Sequence, residues 1–195
     1  IKSEMRTRQS VSAVFLFAFN AIFVSVIALG GLRIASEIMS ALFWLILLFS
    51  SSLASAKSFV SEEDRGTSLY LRFVAAPAQV FAGKLLYNII LLVALTLFTM
   101  LLESVIFDVI RPDSPLLFFL SSLLGAFCIA CVMTLCAAMI SRSSAKGSLL
   151  PVIAFPLLLP VVFVGLDATT MSIAGTPTSY ILPQLGVMLS YTTIL

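Results

Sequence analysis

The stretch SPLLFFLSSLLGAFCIACVMTLCAAMIS, residues 114–141, places 28 residues between Asp113 and Arg142 without a single charge. A helix rises about 1.5 Å per residue, so roughly 20 apolar residues cross a hydrocarbon layer of about 30 Å, and this run has length to spare. It lacks the polar/apolar alternation of a barrel strand. A backbone exposed to lipid must also satisfy its own hydrogen bonds, so the stretch reads as one continuous transmembrane helix.

The pattern repeats along the chain. There are 24 uncharged residues between Arg8 and Arg33, 19 between Glu37 and Lys57, 18 between Lys84 and Glu103, 20 between Lys146 and Asp167, and 28 after Asp167. Six charge-free gaps predict six spans, at approximately 11–29, 38–56, 85–102, 116–140, 149–166 and 180–195. The expected fold is all-α, a single polytopic transmembrane domain over residues 1–195. Composition agrees: 61% of the 195 residues are hydrophobic, 10% are charged and the mean hydropathy is +1.16, outside the range of a water-soluble domain.

Charge and residue usage exclude several functions. Eleven basic and nine acidic residues leave a net charge of +2, dispersed along the chain, which gives no basic stripe for nucleic acid. The chain has no His, so a His-ligated zinc, a Ser-His-Asp triad and axial His ligation of haem are ruled out. The sequence offers neither a catalytic residue set nor a metal-ligand set.

The basic residues also set the orientation. With the N-terminus inside, Lys2, Arg6, Arg8, Lys57, Arg65, Arg72, Lys84, Arg142 and Lys146 are cytoplasmic and only Arg33 and Arg111 lie outside. Both termini are therefore expected in the cytoplasm. Lys2, Arg6 and Arg8 ahead of an apolar run, with Ala28-Leu29-Gly30 after it, also resemble a cleavable signal. The run is longer than a typical signal core, and the later segments keep alternating sides, so the first span is expected to be retained. The first residue is Ile rather than Met, and the 13 residues from Pro183 to Leu195 reach only about 20 Å as a helix, so further residues are expected at both ends.

Two segments stand apart from the apolar mass. Residues 1–10 mix Lys2, Glu4, Arg6 and Arg8 with Ile1 and Met5, and read either as an interfacial amphipathic elbow or as a plain positive flank. Residues 57–84 form the longest polar stretch. Glu62, Glu63 and Asp64 concentrate negative charge and Arg65 and Gly66 follow. Thr67 or Ser68 then offers a cap for a short helix through Leu69, Tyr70, Arg72 and Phe73 that Pro77 would end. A short helix bearing both charged and aromatic residues suits docking of another protein; a solvated spacer loop has the same composition.

The positive elbow, the two spans, the segment Ser61-Glu62-Glu63-Asp64-Arg65-Gly66-Thr67-Ser68-Leu69, then Ala76-Pro77 and Gly83-Lys84, together resemble the ABC-2 type permeases. Within that group the chain is most similar to the CcmB family, the haem exporter B subunit of system I cytochrome c maturation. The Leu- and Pro-rich run from Gly147 to Val161, with Pro151, Pro156 and Pro160, is similar to that family's fifth span. The resemblance covers nearly the whole chain. It implies a six-helix, type V-like permease in the bacterial inner membrane, working as the membrane subunit of an ABC complex.

By that resemblance, Glu62, Glu63, Asp64, Arg65, Gly66, Leu69, Tyr70, Arg72 and Pro77 form the element that couples the chain to a CcmA-like ATPase. CcmC-like and CcmD-like membrane proteins, a CcmE-like haem chaperone and a second membrane half, either another copy or a different subunit, are the other implied partners. The implied task is to use ATP hydrolysis in the partner to release haem-loaded chaperone. The chain binds no cofactor of its own in this reading, with ATP bound by the partner ATPase and haem left as an indirect ligand; the missing His excludes only one mode of contact with haem iron, since Met and Cys can also ligate it. It also lacks a Walker A loop: Gly83-Lys84 continues into Leu85, and Ala78 stands where the first Gly is required.

Other motifs read structurally. Cys128, Cys131 and Cys136 lie inside the fourth span, where the C-x-x-C spacing of the first two, beside Gly125, Ala126 and Ala130, fits close helix packing. In the fifth span Pro151 sits where a helix can begin, while Pro156 and Pro160 remove internal hydrogen bonds and are expected to kink it, as a hinge or as a static bend. Asn20 is expected to bond to another helix in mid-membrane, and Glu103 and Asp108 to sit at the outer membrane boundary. Three function classes remain: the cytochrome c maturation permease, an ABC-2 permease exporting a lipid, polysaccharide or drug, and an intramembrane enzyme. The last lacks any convergent acid, base or nucleophile.

Overall fold

The computed structural model describes residues 2–29, 35–63, 77–106, 114–140 and 146–194, with side chains over 11–29, 35–54, 78–106, 114–140 and 149–194. The described residues form six helices: α1 (Lys2–Leu29), α2 (Ser36–Glu63), α3 (Pro77–Ile106), α4 (Pro115–Met139), α5 (Lys146–Ile173) and α6 (Thr178–Ile194). The all-helical membrane class read from the charge gaps is the class observed. Five helices are long and apolar enough to cross a bilayer, over Val11–Leu29, Ser36–Ala54, Ala78–Ile106, Pro115–Met139 and Leu149–Ile173. The sixth, with 17 residues, spans about 26 Å.

Several boundaries differ from the charge-gap reading, and for one reason. A charge ends the lipid-compatible part of a helix without ending the helix. Thus α1 runs unbroken from Lys2 through the first span, and α2 continues past Ala56 to Glu63. Pro77, expected to stop a helix, opens α3 eight residues before the expected start at Leu85. There its fixed φ suits the first turn and its missing N–H costs nothing. Likewise Pro151 lies inside α5 and does not begin it, since that helix starts at Lys146.

The helices pack around α4, which touches α2, α3, α5 and α6. Small residues permit this. Gly125, Ala126, Cys128, Ala130, Cys136 and Ala137 are all buried on α4, and in lipid, where apolar surface alone drives no association, small residues are what let helix backbones approach. Burial grades outward: 61% of the α4 window is buried inside the bundle against 17% for α1, which packs mainly on α2 and α3 and leaves Leu16, Phe23, Val24 and Ile27 exposed.

Candidate functional site

The segment implied to couple the chain to an ATPase lies between two helix ends. Glu62 and Glu63 are the last two residues of α2, and Pro77 is the first of α3. Asp64, Arg65, Gly66, Leu69, Tyr70 and Arg72 lie outside the described residues, as does Asp108. Gly83 and Lys84 fall in the second turn of α3. A helical backbone there cannot wrap a phosphate as a Walker loop does.

The interior is organised by a residue that belongs to none of the sequence motifs. Trp44, the one tryptophan of the chain, is 1% exposed on α2. Its ring lies against Gly125 of α4 and Gly165 of α5 so closely that a Cβ at either glycine would overlap the indole. Nε1 donates to Thr169 Oγ1 at 3.1 Å. Thr169 Oγ1 in turn donates a hydrogen bond to the Gly165 carbonyl, one turn back, at 2.9 Å. Beside it Phe43 meets the Trp44 ring edge-on at 6.0 Å and the Phe118 ring of α4 at 5.8 Å. Three helices thus meet on one indole. The signal in the sequence was a lone Trp together with glycines at 125 and 165, all in apolar runs.

Other polar contacts tie the remaining helices to this centre. Asn88 Nδ2 of α3 donates to Thr134 Oγ1 of α4 at 2.8 Å, both side chains being buried. Tyr191 Oη of α6 donates to the Leu157 carbonyl of α5 at 2.7 Å, in the turn between Pro156 and Pro160. Cys128 Sγ makes a long contact of 3.5 Å with the Met188 carbonyl. The three thiols are free, Cys128 and Cys136 buried and Cys131 half-buried, within the packing of α4. Pro156 and Pro160 are exposed, and α5 stays helical through both.

Two expectations about polar residues are corrected. Asn20 makes no hydrogen bond among the described residues and lies exposed on α1, because its register points away from α2 and α3; the interhelical amide contact belongs to Asn88 instead. Glu103 sits in the last turn of α3 yet is only 5% exposed, so it belongs to the bundle interior and not to a solvated boundary. No three His, Cys, Asp or Glu side chains converge among the described residues.

Between α1, α2, α4 and α5 runs a groove of about 420 Å³, lined by Phe17, Leu45, Phe49, Met133, Pro151 and Phe155 among others. Its one hydroxyl, Ser52, is bonded to the Leu48 carbonyl at 3.0 Å. The groove can hold an apolar body and offers nothing to pair with a charge.

The family model described as CcmB protein matches residues 1–195. No curated protein and no solved structure matches the chain.

Proposed function

The chain belongs to the CcmB family, and from that membership we infer that it is a membrane permease subunit of haem export for cytochrome c maturation. It couples ATP hydrolysis in a separate, CcmA-like ATPase to haem handling and to release of haem-loaded, CcmE-like chaperone, alongside CcmC-like and CcmD-like membrane proteins. The observation that carries this reading is the match over all 195 residues, joined to a bundle of six helices, five of them able to span a bilayer.

The mechanism follows from where the chain has chemistry and where it has none. Among the described residues the interior is chiefly apolar, its polar groups being hydroxyls, two interhelical bonds, Trp44 to Thr169 and Asn88 to Thr134, and the lone carboxyl of Glu103, and no three His, Cys, Asp or Glu side chains converge in it. Energy for any rearrangement must therefore come from outside the bundle. The residues between Glu63 and Pro77, on the cytoplasmic side by the basic-residue count, are the coupling element on which the ATPase docks. A displacement there passes along α2 to the Trp44 contact and hence to α4 and α5. The prolines Pro156 and Pro160 are the hinge of α5, since each removes one helical hydrogen bond.

The test is a haem stain of membranes from cells lacking the chain, with and without its restoration, following c-type cytochromes and chaperone-bound haem together. Loss of c-type cytochromes with chaperone-bound haem retained is the expected result and points to the release step. Unchanged cytochromes would replace this reading with an ABC-2 permease exporting a lipid, polysaccharide or drug.

A further inference from the structure

Asn20 stands at the middle of the first span, Val11–Leu29, so about 13 Å of helix separates it from either end. It is exposed on the outside of the bundle and makes no hydrogen bond among the described residues. Lipid tails offer neither donor nor acceptor, and Asn is too short to reach the headgroups as Lys and Arg do. Ser25, on the same helix, shows the local escape by bonding the Ala21 carbonyl at 2.7 Å. Asn20 does not take it. A side-chain amide so placed is satisfied by a helix brought to it from outside the bundle.

The residues around Asn20 define the face. Leu16, Asn20, Phe23 and Ile27 follow one another at intervals of four, three and four, which is the spacing of a heptad seam with Asn20 and Ile27 at a and Leu16 and Phe23 at d. Leu16, Phe23 and Ile27 are 59%, 51% and 66% exposed. At about 100° per residue the four positions fall within an arc of about 60°. Val14, Ala18 and Ile22, all at 1% exposure or less, fall on the opposite side, where α1 packs mainly against α2 and α3. The seam is therefore turned away from the chain's own bundle. One Asn at an a position is the device by which a parallel coiled coil fixes its register, and a β-branched residue at a with Leu at d, here Ile27 and Leu16, favours two strands.

The occupant that completes this seam is a second copy of the chain. Two copies related by a two-fold axis along the membrane normal hold each residue at the depth of its counterpart, so Asn20 meets Asn20. The amide is its own electrostatic complement: the partly positive N–H of one side chain faces the partly negative C=O of the other. We propose that the chain pairs with a second copy of itself through α1, the two helices running parallel along Leu16, Asn20, Phe23 and Ile27, with the Asn20 side chains hydrogen-bonded to each other in mid-membrane. Of the two second halves that the permease reading allows, the pairing selects another copy. It rests on that reading only for the need of a second half, and the seam itself is a property of α1.

The test follows energy transfer between donor-labelled and acceptor-labelled full-length chains in liposomes as the lipid-to-protein ratio is raised. The unaltered chain is expected to self-associate, and Asn20→Leu to weaken that association about 3- to 20-fold. Because Asn20 is exposed, the variant leaves the bundle itself intact. Mild oxidation supplies the second measurement. Leu16→Cys, Phe23→Cys and Ile27→Cys, introduced singly, are expected to give a disulfide-linked dimer of the chain, whereas Val14→Cys, Ala18→Cys and Ile22→Cys stay at the level of the unaltered chain, whose three thiols lie on α4. A chain that remains monomeric at every ratio overturns the proposal and leaves the seam to lipid or to a helix of another protein. A dimer that Asn20→Leu does not weaken, or that fails to cross-link at the seam positions, overturns it as well. Neither haem nor the ATPase enters these measurements, so their failure is distinct from failure of the permease reading.

Discussion

Trp44 Nε1 donates to Thr169 Oγ1 at 3.1 Å across the α2/α5 contact, while the ring it belongs to fills the space left by two glycines on two different helices. Bond and ring do different work. In a membrane bundle an interhelical hydrogen bond contributes on average about 0.6 kcal/mol, because the separated helices also find partners for their polar groups. Removing a buried tryptophan to Ala costs about 3–5 kcal/mol. Thr169→Val is therefore expected to be nearly silent in thermal unfolding and Trp44→Ala severe. Equal losses from the two would shift the weight from packing to the bond.

The glycines give the converse experiment. Gly125→Ala and Gly165→Ala drive a methyl into the indole and are expected to lower stability by about 1–3 kcal/mol through overpacking. At Gly83 and Gly186 an added methyl would meet nothing within 4 Å, and Ala there is expected to leave the melting midpoint unchanged or raise it slightly. If all four variants melt alike, the indole does not occupy the slot.

Asn88 and Thr134 should behave as a coupled pair. Asn88→Ala and Thr134→Ala, made singly and together, are expected to show an interaction energy of about 0.6 kcal/mol in a double-mutant cycle. Asn20→Ala, on the exposed side of α1, is expected to show no coupling to Thr134. A zero term for the first cycle would remove the α3/α4 clamp.

The coupling assignment is open to a direct trial. Arg65→Glu reverses a charge and Gly66→Pro stiffens the backbone in the segment between α2 and α3. Both variants are expected to insert normally and to lose ATPase docking or ATP-dependent function. Wild-type activity in both would sink the role given to residues 62–77.

Much of the architecture was legible in the spacing of charges, because lipid admits few charges and the intervals between Arg8, Arg33, Glu37, Lys57 and their successors count the crossings. What the charges leave open is where each helix stops beyond the lipid, hence the unexpected reach of α2 to Glu63 and of α3 back to Pro77. Nor does an apolar run say which of its faces meets protein. Leu95, fully buried, and Leu101, 61% exposed, lie on the same helix in similar sequence surroundings, since a residue facing lipid and one facing another helix are equally apolar. That is why the Trp44 centre and the burial of Glu103 emerge only in three dimensions, whereas the residues implied for coupling were legible through resemblance to a family and through no geometric cue.

Trp44 and its acceptor Thr169 lie 125 residues apart. During synthesis α2 therefore enters the bilayer long before Gly165 and Thr169 exist, and the α5 side of its indole stays unpartnered until α5 is translated. Chains cut short before that point can seat the indole on Gly125 of α4 but leave it without the Gly165 face and the Thr169 acceptor. The α2/α5 contact is thus one that the chain can close only late in its synthesis.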